Sequence, residues 1–272
     1  MKSACRIAVI QMSAEETKEK SISRALSQIE KAAASGADFA VLPEMFSCPY
    51  ETGKFPLYAE PEDGETVTRL SEAAGENGIY LIGGSIPERD AAGKVYNTSF
   101  AFDRAGNLLA KHRKVHLFDI AIEGGQKFRE SETLSAGDHA TVFQTEFGAA
   151  GLCICYDIRF PELFRMMTDK KAVIIFCPAA FNRTTGPRHW ELLFRSRAVD
   201  NQVYMVGAAP ALDPSASYLS YGHSVIVSPW GDILAEADEN ACMLSAEIDL
   251  EEVKRVRKQL PLLLHRRTDL YN

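Results

Sequence analysis

The chain has 272 residues, with 30 Lys plus Arg against 37 Asp plus Glu, a formal net charge of −7, 46% apolar residues and 25% charged ones. The acidic balance argues against a general nucleic-acid binder, which carries a basic excess, and the composition is neither collagen-like nor that of a disordered chain. No run of about 18 apolar residues is present to span a membrane, and the apolar stretch 7–10 is too brief for the core of a secretory signal.

Residues 5–11, CRIAVIQ, read as a buried strand. Residues 14–35 predict a helix, because Ile22, Ala25, Leu26, Ile29, Ala32 and Ala33 recur at three- and four-residue steps. Gly36 is placed to end it. A strand at 38–42 closes at Pro43, giving the strand–helix–strand order of a crossover onto one sheet. The alternation continues with a helix at 64–77, a strand at 79–85, and strands at 96–103 and 108–114 around a turn. A strand pair follows at 140–145 and 149–154, then a short helix at 161–168 with Pro161 in its first turn. A strand at 172–177, a helix at 186–201 and a strand at 203–208 come next. Residues 223–228 and 242–248 are expected to form a final hairpin through Pro229-Trp230-Gly231-Asp232, and a helix at 250–258 closes the body. No repeat, linker or composition shift marks a boundary, so residues 1–272 read as one α/β domain. The longest irregular stretch is 118–136, and long loops in compact domains are often functional.

The six cysteines are Cys5, Cys48, Cys153, Cys155, Cys177 and Cys242. That count is low for the length, so reduced thiols in a cytoplasmic compartment are expected. Cys153-x-Cys155 is neither a redox CxxC nor a zinc knuckle, and no nearby pair completes a four-ligand set. No metal or organic cofactor is predicted. Of the histidines His112, His116, His139, His189, His223 and His265, none is singled out as a partner for a nucleophile.

Three segments place a reactive residue at the end of an apolar strand, where α/β folds collect their sites. Glu44 follows Phe39-Ala40-Val41-Leu42-Pro43. Lys114 lies in the basic run Lys111-His112-Arg113-Lys114 before Val115-His116-Leu117-Phe118-Asp119. Cys155 ends the run Gly151-Leu152-Cys153-Ile154, ahead of a turn and a helix, an arrangement similar to a nucleophile elbow. Taken singly, each has an ordinary explanation as cap, surface charge or core. Together they are far more specific, because all three also match one known family. The residue types suit the amide hydrolysis which that resemblance implies: Glu44 can act as general base, a Lys114 ammonium favours a Cys155 thiolate, and Lys114 with the Tyr156 N–H is placed to stabilise the oxyanion.

These segments resemble the carbon–nitrogen hydrolase, or nitrilase, superfamily over nearly the whole chain. The resemblance implies a Glu44–Lys114–Cys155 triad and an α-β-β-α sandwich that becomes four-layered on dimerisation. It implies a second glutamate beside the lysine, best matched by Glu130, with Glu123 as the competitor. Ser47-Cys48-Pro49-Tyr50, Pro178-Ala179-Ala180-Phe181-Asn182, Thr184-Thr185-Gly186-Pro187 and His189-Trp190-Glu191-Leu192-Leu193 are similar to the ω-amidase branch. That likeness implies release of ammonia from 2-oxoglutaramate or 2-oxosuccinamate. The alternatives are amidases for deaminated glutathione or an N-carbamoyl amine, a nitrilase, or a non-catalytic scaffold. A substrate carboxylate calls for Arg or a cluster of N–H and hydroxyl donors; Tyr50, Tyr156, Arg159, Phe181, Arg183 and Thr184 are the substrate-binding candidates. The 121–127 loop and Arg183 depart from the branch's pattern. The expected partners are a small-molecule amide and a second copy of the chain, with no nucleic acid and no membrane. The apolar-then-basic extension 259–272 is expected to pack on that second copy.

Overall fold

The computed structural model describes residues 2–123 and 127–270. Its first half builds one sheet and the helices that cover it. Strand β1, Ala4–Gln11, leads into α1, Lys18–Ala34, and back to β2, Phe39–Val41, parallel to β1. Helix α1 starts four residues later than the apolar periodicity suggests, because Thr17 takes the cap and accepts from the Lys20 N–H. The short α2, Phe55–Tyr58, and α3, Glu65–Asn77, precede β3, Tyr80–Ile82. Of the expected strand at 79–85 only β3 forms: Gly83 and Gly84 end it, and a further strand not expected, β4, Ile86–Arg89, pairs with β5, Val95–Phe102. A Cβ at Gly84, whose φ is +60°, would lie 2.2 Å from the Pro43 carbonyl oxygen, so only glycine lets this turn pass behind the Glu44 loop. β6, Leu108–Arg113, pairs antiparallel with β5 and delivers Lys114 at its end.

The stretch 118–136 is less irregular than expected. It holds a hairpin of β7, Asp119–Ala121, and β8, Lys127–Arg129, followed by a 3-10 turn at Glu130–Glu132. Residues 124–126, inside the segment that departs from the ω-amidase pattern, lie outside the described residues.

The second sheet begins with the antiparallel pair β9, Thr141–Thr145, and β10, Gly148–Leu152. A 3-10 turn at Cys155–Arg159 enters α4, Pro161–Asp169. β11, Ile174–Pro178, α5, Gly186–Asn201, and β12, Tyr204–Ala208, follow, with β10, β11 and β12 all parallel. The expected final hairpin is not formed. β13, Val225–Val227, turns at Gly231 (φ +92°) directly into β14, Ile233–Glu236. β15, Cys242–Asp249, instead crosses to the first sheet and pairs antiparallel with all eight residues of β1. Helix α6, Leu250–Gln259, then packs Leu250 and Val253 into the central core.

The sheets therefore run β15-β1-β2-β3-β5-β4, with β6 on β5, and β14-β13-β12-β11-β10-β9. They face each other across Ile7, Val9, Phe39, Val41, Phe147, Leu152, Phe176, Tyr204 and Ile226. Apolar residues of α1 and α3 cover the outer face of the first sheet, and those of α4 and α5 the outer face of the second. This is the α-β-β-α sandwich. Beyond α6 the chain hydrogen-bonds back through the Leu260 carbonyl, which accepts from Gln202, and Arg266 pairs with Asp169. Leu264 and Leu270 stay exposed. No helix among the described residues is long and apolar enough to cross a membrane.

Candidate active site

Glu44, Lys114, Glu130 and Cys155 converge in the interior, where each is at most 3% exposed. Glu44 leaves β2 through Pro43, and Met45 (φ 52°) turns the chain away, its N–H held by the Ser85 hydroxyl. Oε1 of Glu44 accepts from Lys114 Nζ at 3.0 Å and from Asn97 Nδ2 at 2.8 Å, while Oε2 accepts from the Ala180 N–H at 2.7 Å. Lys114 Nζ donates a second bond to Glu130 Oε1 at 2.9 Å. Glu130 Oε2 accepts from the Phe118 N–H at 2.7 Å. The second glutamate beside the lysine is therefore Glu130; Glu123 is exposed on the surface. An ammonium carries three N–H groups, so two bonds to carboxylates leave Lys114 one donor.

Burial alone would lower the Lys114 pKa, but Glu130 and Glu44 outweigh it and hold it well above the ordinary lysine range. Burial first, then Glu44, raises the Glu130 carboxyl against the pull of Lys114.

Cys155 sits at φ 46°, a left-handed conformation that a non-glycine residue adopts only when its surroundings impose it. Its Sγ lies 3.8 Å from the Ala180 carbonyl, and the charges of Glu44, Lys114 and Glu130 all act on it. Burial, reinforced by Glu44, pushes the thiol well above its usual range, while Lys114 pulls the other way and favours the thiolate, as expected.

The elbow is anchored by a residue that motif reading passed over. Asp157, fully buried, accepts from the Ile154 N–H at 3.0 Å, the His116 N–H at 2.9 Å, His116 Nδ1 at 2.8 Å and His112 Nε2 at 3.0 Å. Burial works against its charge, yet these donors hold the carboxyl well below the carboxylate range. Both histidines flank Lys114, so Asp157 ties the lysine strand to the nucleophile turn. Asp157→Asn must turn an N–H2 onto one of the donors. The expected cost is about 2–3 kcal/mol of stability and a fall of roughly tenfold in kcat with little change in KM, read from urea unfolding and steady-state kinetics.

The six substrate-binding candidates separate. Tyr50 donates its hydroxyl to Glu130 Oε1 at 2.8 Å and lies 3.2 Å from Glu44 Oε1, so it serves the carboxylates. Its ring meets Tyr218 at 4.5 Å and Phe128 of β8 at 5.5 Å. Tyr156 stands edge-on to Phe118 and Phe160, and its N–H lies in the first turn of the elbow helix, where no intrahelical acceptor exists. Phe181 is buried against Trp190. The Arg159 guanidinium lies 5.0 Å over Phe181 and 5.6 Å over Tyr156. Arg183 and Thr184 do not join them: both are exposed, with Arg183 paired to Glu239 at 3.1 Å and the Thr184 N–H bonded to the Asn182 side chain. A cavity of about 300 Å3 opens at Glu44, lined also by Met12, Glu15, Tyr50, Glu51, Asp213 and Tyr218.

Missed residues were Asn97, Asp157 and Tyr218. A usable signal was present for the first: Asn97-Thr98-Ser99 is a polar run inside an otherwise apolar, wholly buried strand. Among the described residues no group of three His, Cys, Asp or Glu is arranged to hold a metal ion.

Fold and site together define an α/β-sandwich hydrolase built around a buried cysteine. The chain belongs to the carbon–nitrogen hydrolase family, whose model matches residues 6–258. It is 51% identical over 267 residues to "Omega-amidase NIT2" of Xenopus tropicalis, covering 98% of this chain and 96% of that protein. It is 50% identical over 266 residues to the protein of the same name from Homo sapiens, with 98% and 96% covered. The crystal structure of Saccharomyces cerevisiae Nit3, a member of branch 10 of the nitrilase superfamily, aligns with a TM-score of 0.90 at 42% identity over 98% of each chain.

Proposed function

We propose that this hydrolase is an ω-amidase, releasing ammonia from the terminal amide of 2-oxoglutaramate and 2-oxosuccinamate. Relatives of that name at about half identity over nearly the full length support the reaction. One observation carries the choice of an anionic substrate. Arg159, beside the elbow, has no carboxylate partner among the described residues; its polar neighbour is His189. An unpaired, half-buried guanidinium is suited to a substrate carboxylate.

In the mechanism, Glu44 takes the thiol proton as Sγ attacks the amide carbon. The carbonyl oxygen becomes an oxyanion and accepts from the third N–H of Lys114 and from the Tyr156 N–H, each contributing roughly 3–4 kcal/mol. Glu44 returns the proton to the departing nitrogen, the C–N bond breaks, and ammonia leaves a thioester on Cys155. Glu44 then deprotonates water, which attacks the thioester, and the sulfur leaves with that proton. Glu130 and Tyr50 hold Lys114 and Glu44 in place throughout. No step calls for a metal or organic cofactor.

The exposed apolar residues Leu192, Val199 and Trp230 support a homodimer to which the 259–272 extension contributes. Six cysteines without disulfides fit a cytoplasmic setting.

Ammonia release from 2-oxoglutaramate, 2-oxosuccinamate, deaminated glutathione, N-carbamoylputrescine and a simple nitrile tests the reading. The two 2-oxo acid monoamides should give the highest kcat/KM; turnover confined to the others would overturn it. Arg159→Met should raise KM for 2-oxoglutaramate about 30–100-fold, the worth of a lost charge-assisted pair, with a much smaller change in kcat.

A further inference from the structure

Arg159 is held by a histidine. Its Nη1 lies 3.2 Å from Nδ1 of His189, in the first turn of α5. A guanidinium only donates, so Nδ1 accepts, and the imidazole is neutral with its proton on Nε2. With the Phe181 and Tyr156 rings on its other sides, the guanidinium is fixed by one polar contact and two aromatic ones. No carboxylate among the described residues takes the remaining donors; Glu162, at the start of α4, forms no ion pair with it.

We infer that His189 is a positioning residue which aims the Arg159 guanidinium at the substrate carboxylate and lets it go on protonation, so that acidification weakens the anionic amide's binding while leaving the chemical step unaltered. The class of substrate rests on the ω-amidase reading; the His189–Arg159 coupling does not.

The charged surroundings of the ring favour this behaviour. Elements packed against α5 are the elbow turn, α4, β12 and β13. The elbow supplies Arg159, and α5 itself supplies Arg188; both oppose a second positive charge on His189. Burial, then these two arginines, hold the imidazole below its usual range. Nearby acids are engaged elsewhere: Glu191 with Arg195, Asp169 with Arg266, and Tyr204 of β12 bonds Glu252. Glu162 acts on Arg197. His189 is therefore neutral through the neutral range. As pH falls it protonates, loses its acceptor and repels the guanidinium, so KM rises on the acid side only.

The test is steady-state kinetics across pH on three proteins, with 2-oxoglutaramate and the neutral five-carbon amide pentanamide. His189→Phe keeps the ring shape and removes the acceptor. His189→Asn places Oδ1 where Nδ1 was and cannot titrate. His189→Phe should raise KM for 2-oxoglutaramate about tenfold at neutral pH, with kcat within roughly twofold. His189→Asn should recover a low KM and abolish its rise in acid. A lowered kcat at unchanged KM in His189→Phe, or an acid-side rise in KM that persists in His189→Asn, would overturn the inference. A wild-type preference for the anionic amide that survives in His189→Phe would overturn it alone. Absence of that preference in the wild type would overturn the substrate reading.

Discussion

Replacing Cys155 with alanine is expected to abolish ammonia release, a loss of at least about 10⁴-fold in kcat, because no other nucleophile is placed to form the acyl intermediate. The variant should remain folded: the Cβ that the left-handed backbone must accommodate is retained, and the thiol's polar contacts, with Glu44 and at 3.8 Å with the Ala180 carbonyl, are weak ones. Mass spectrometry of acid-quenched protein should show a covalent acyl adduct on the wild type and none on Cys155→Ala. Full turnover by that variant would exclude a thiol mechanism. Thiol reactivity provides an independent check. Because burial and Glu44 raise the Cys155 pKa, alkylation should be slow at neutral pH and climb with alkalinity, without the neutral plateau of a preformed thiolate. The rate of attack on substrate should then depend on Glu44, and Glu44→Gln should lower kcat with little change in KM.

Lys114→Met carries the second large effect, and it falls on two observables at once. The ammonium sits between Glu44 Oε1 and Glu130 Oε1, at 3.0 and 2.9 Å, and all three groups are buried. Removing it leaves two buried carboxyls sharing the Tyr50 hydroxyl, and one of them must take a proton. The expected stability loss is about 3–5 kcal/mol, seen as a lower urea midpoint, together with a fall of at least about 10³-fold in kcat from the lost oxyanion donor and the displaced base. Adding Glu130→Gln should recover most of the stability, since it removes the uncompensated charge, and none of the activity. A double variant no more stable than Lys114→Met would show that the two carboxyls are not an uncompensated charge once the ammonium is gone.

Much of this was legible because strand ends announce themselves. Glu44, Lys114 and Cys155 each follow an apolar run that stops abruptly, and the structure brings all three runs to one interior point. What could not be read were partners set by register across the sheets. Asn97 reaches Glu44 from 53 positions away, and Asp157 meets His116 across 41. Local pattern has no access to such pairings. The misplaced final hairpin has the same origin. Residues 242–249 alternate as well as any strand, but which edge they join depends on β1, more than 200 residues earlier. Arg183 and Thr184 stand apart from the other candidates, exposed, for a local reason: the Asn182 side chain accepts from the N–H groups of both Thr184 and Thr185 at the entry to α5. Tyr50, expected at the substrate, lines the cavity beside Glu44 and has its hydroxyl on two glutamates, pairings that local pattern does not display.

The register of β15 on β1, from Ala4 opposite Asp249 to Gln11 opposite Cys242, makes synthesis order matter. β1 leaves the ribosome more than 200 residues ahead of β15. At about 5–20 residues per second, the open side of β1 waits on the order of tens of seconds for the strand that covers it. Throughout that interval the nascent chain carries an apolar, unpaired edge, the kind that joins other chains. Truncation just before β15 would make that transient state permanent. Such a fragment would keep every triad residue yet is expected to associate through β1, recovered as aggregate rather than as a slower enzyme.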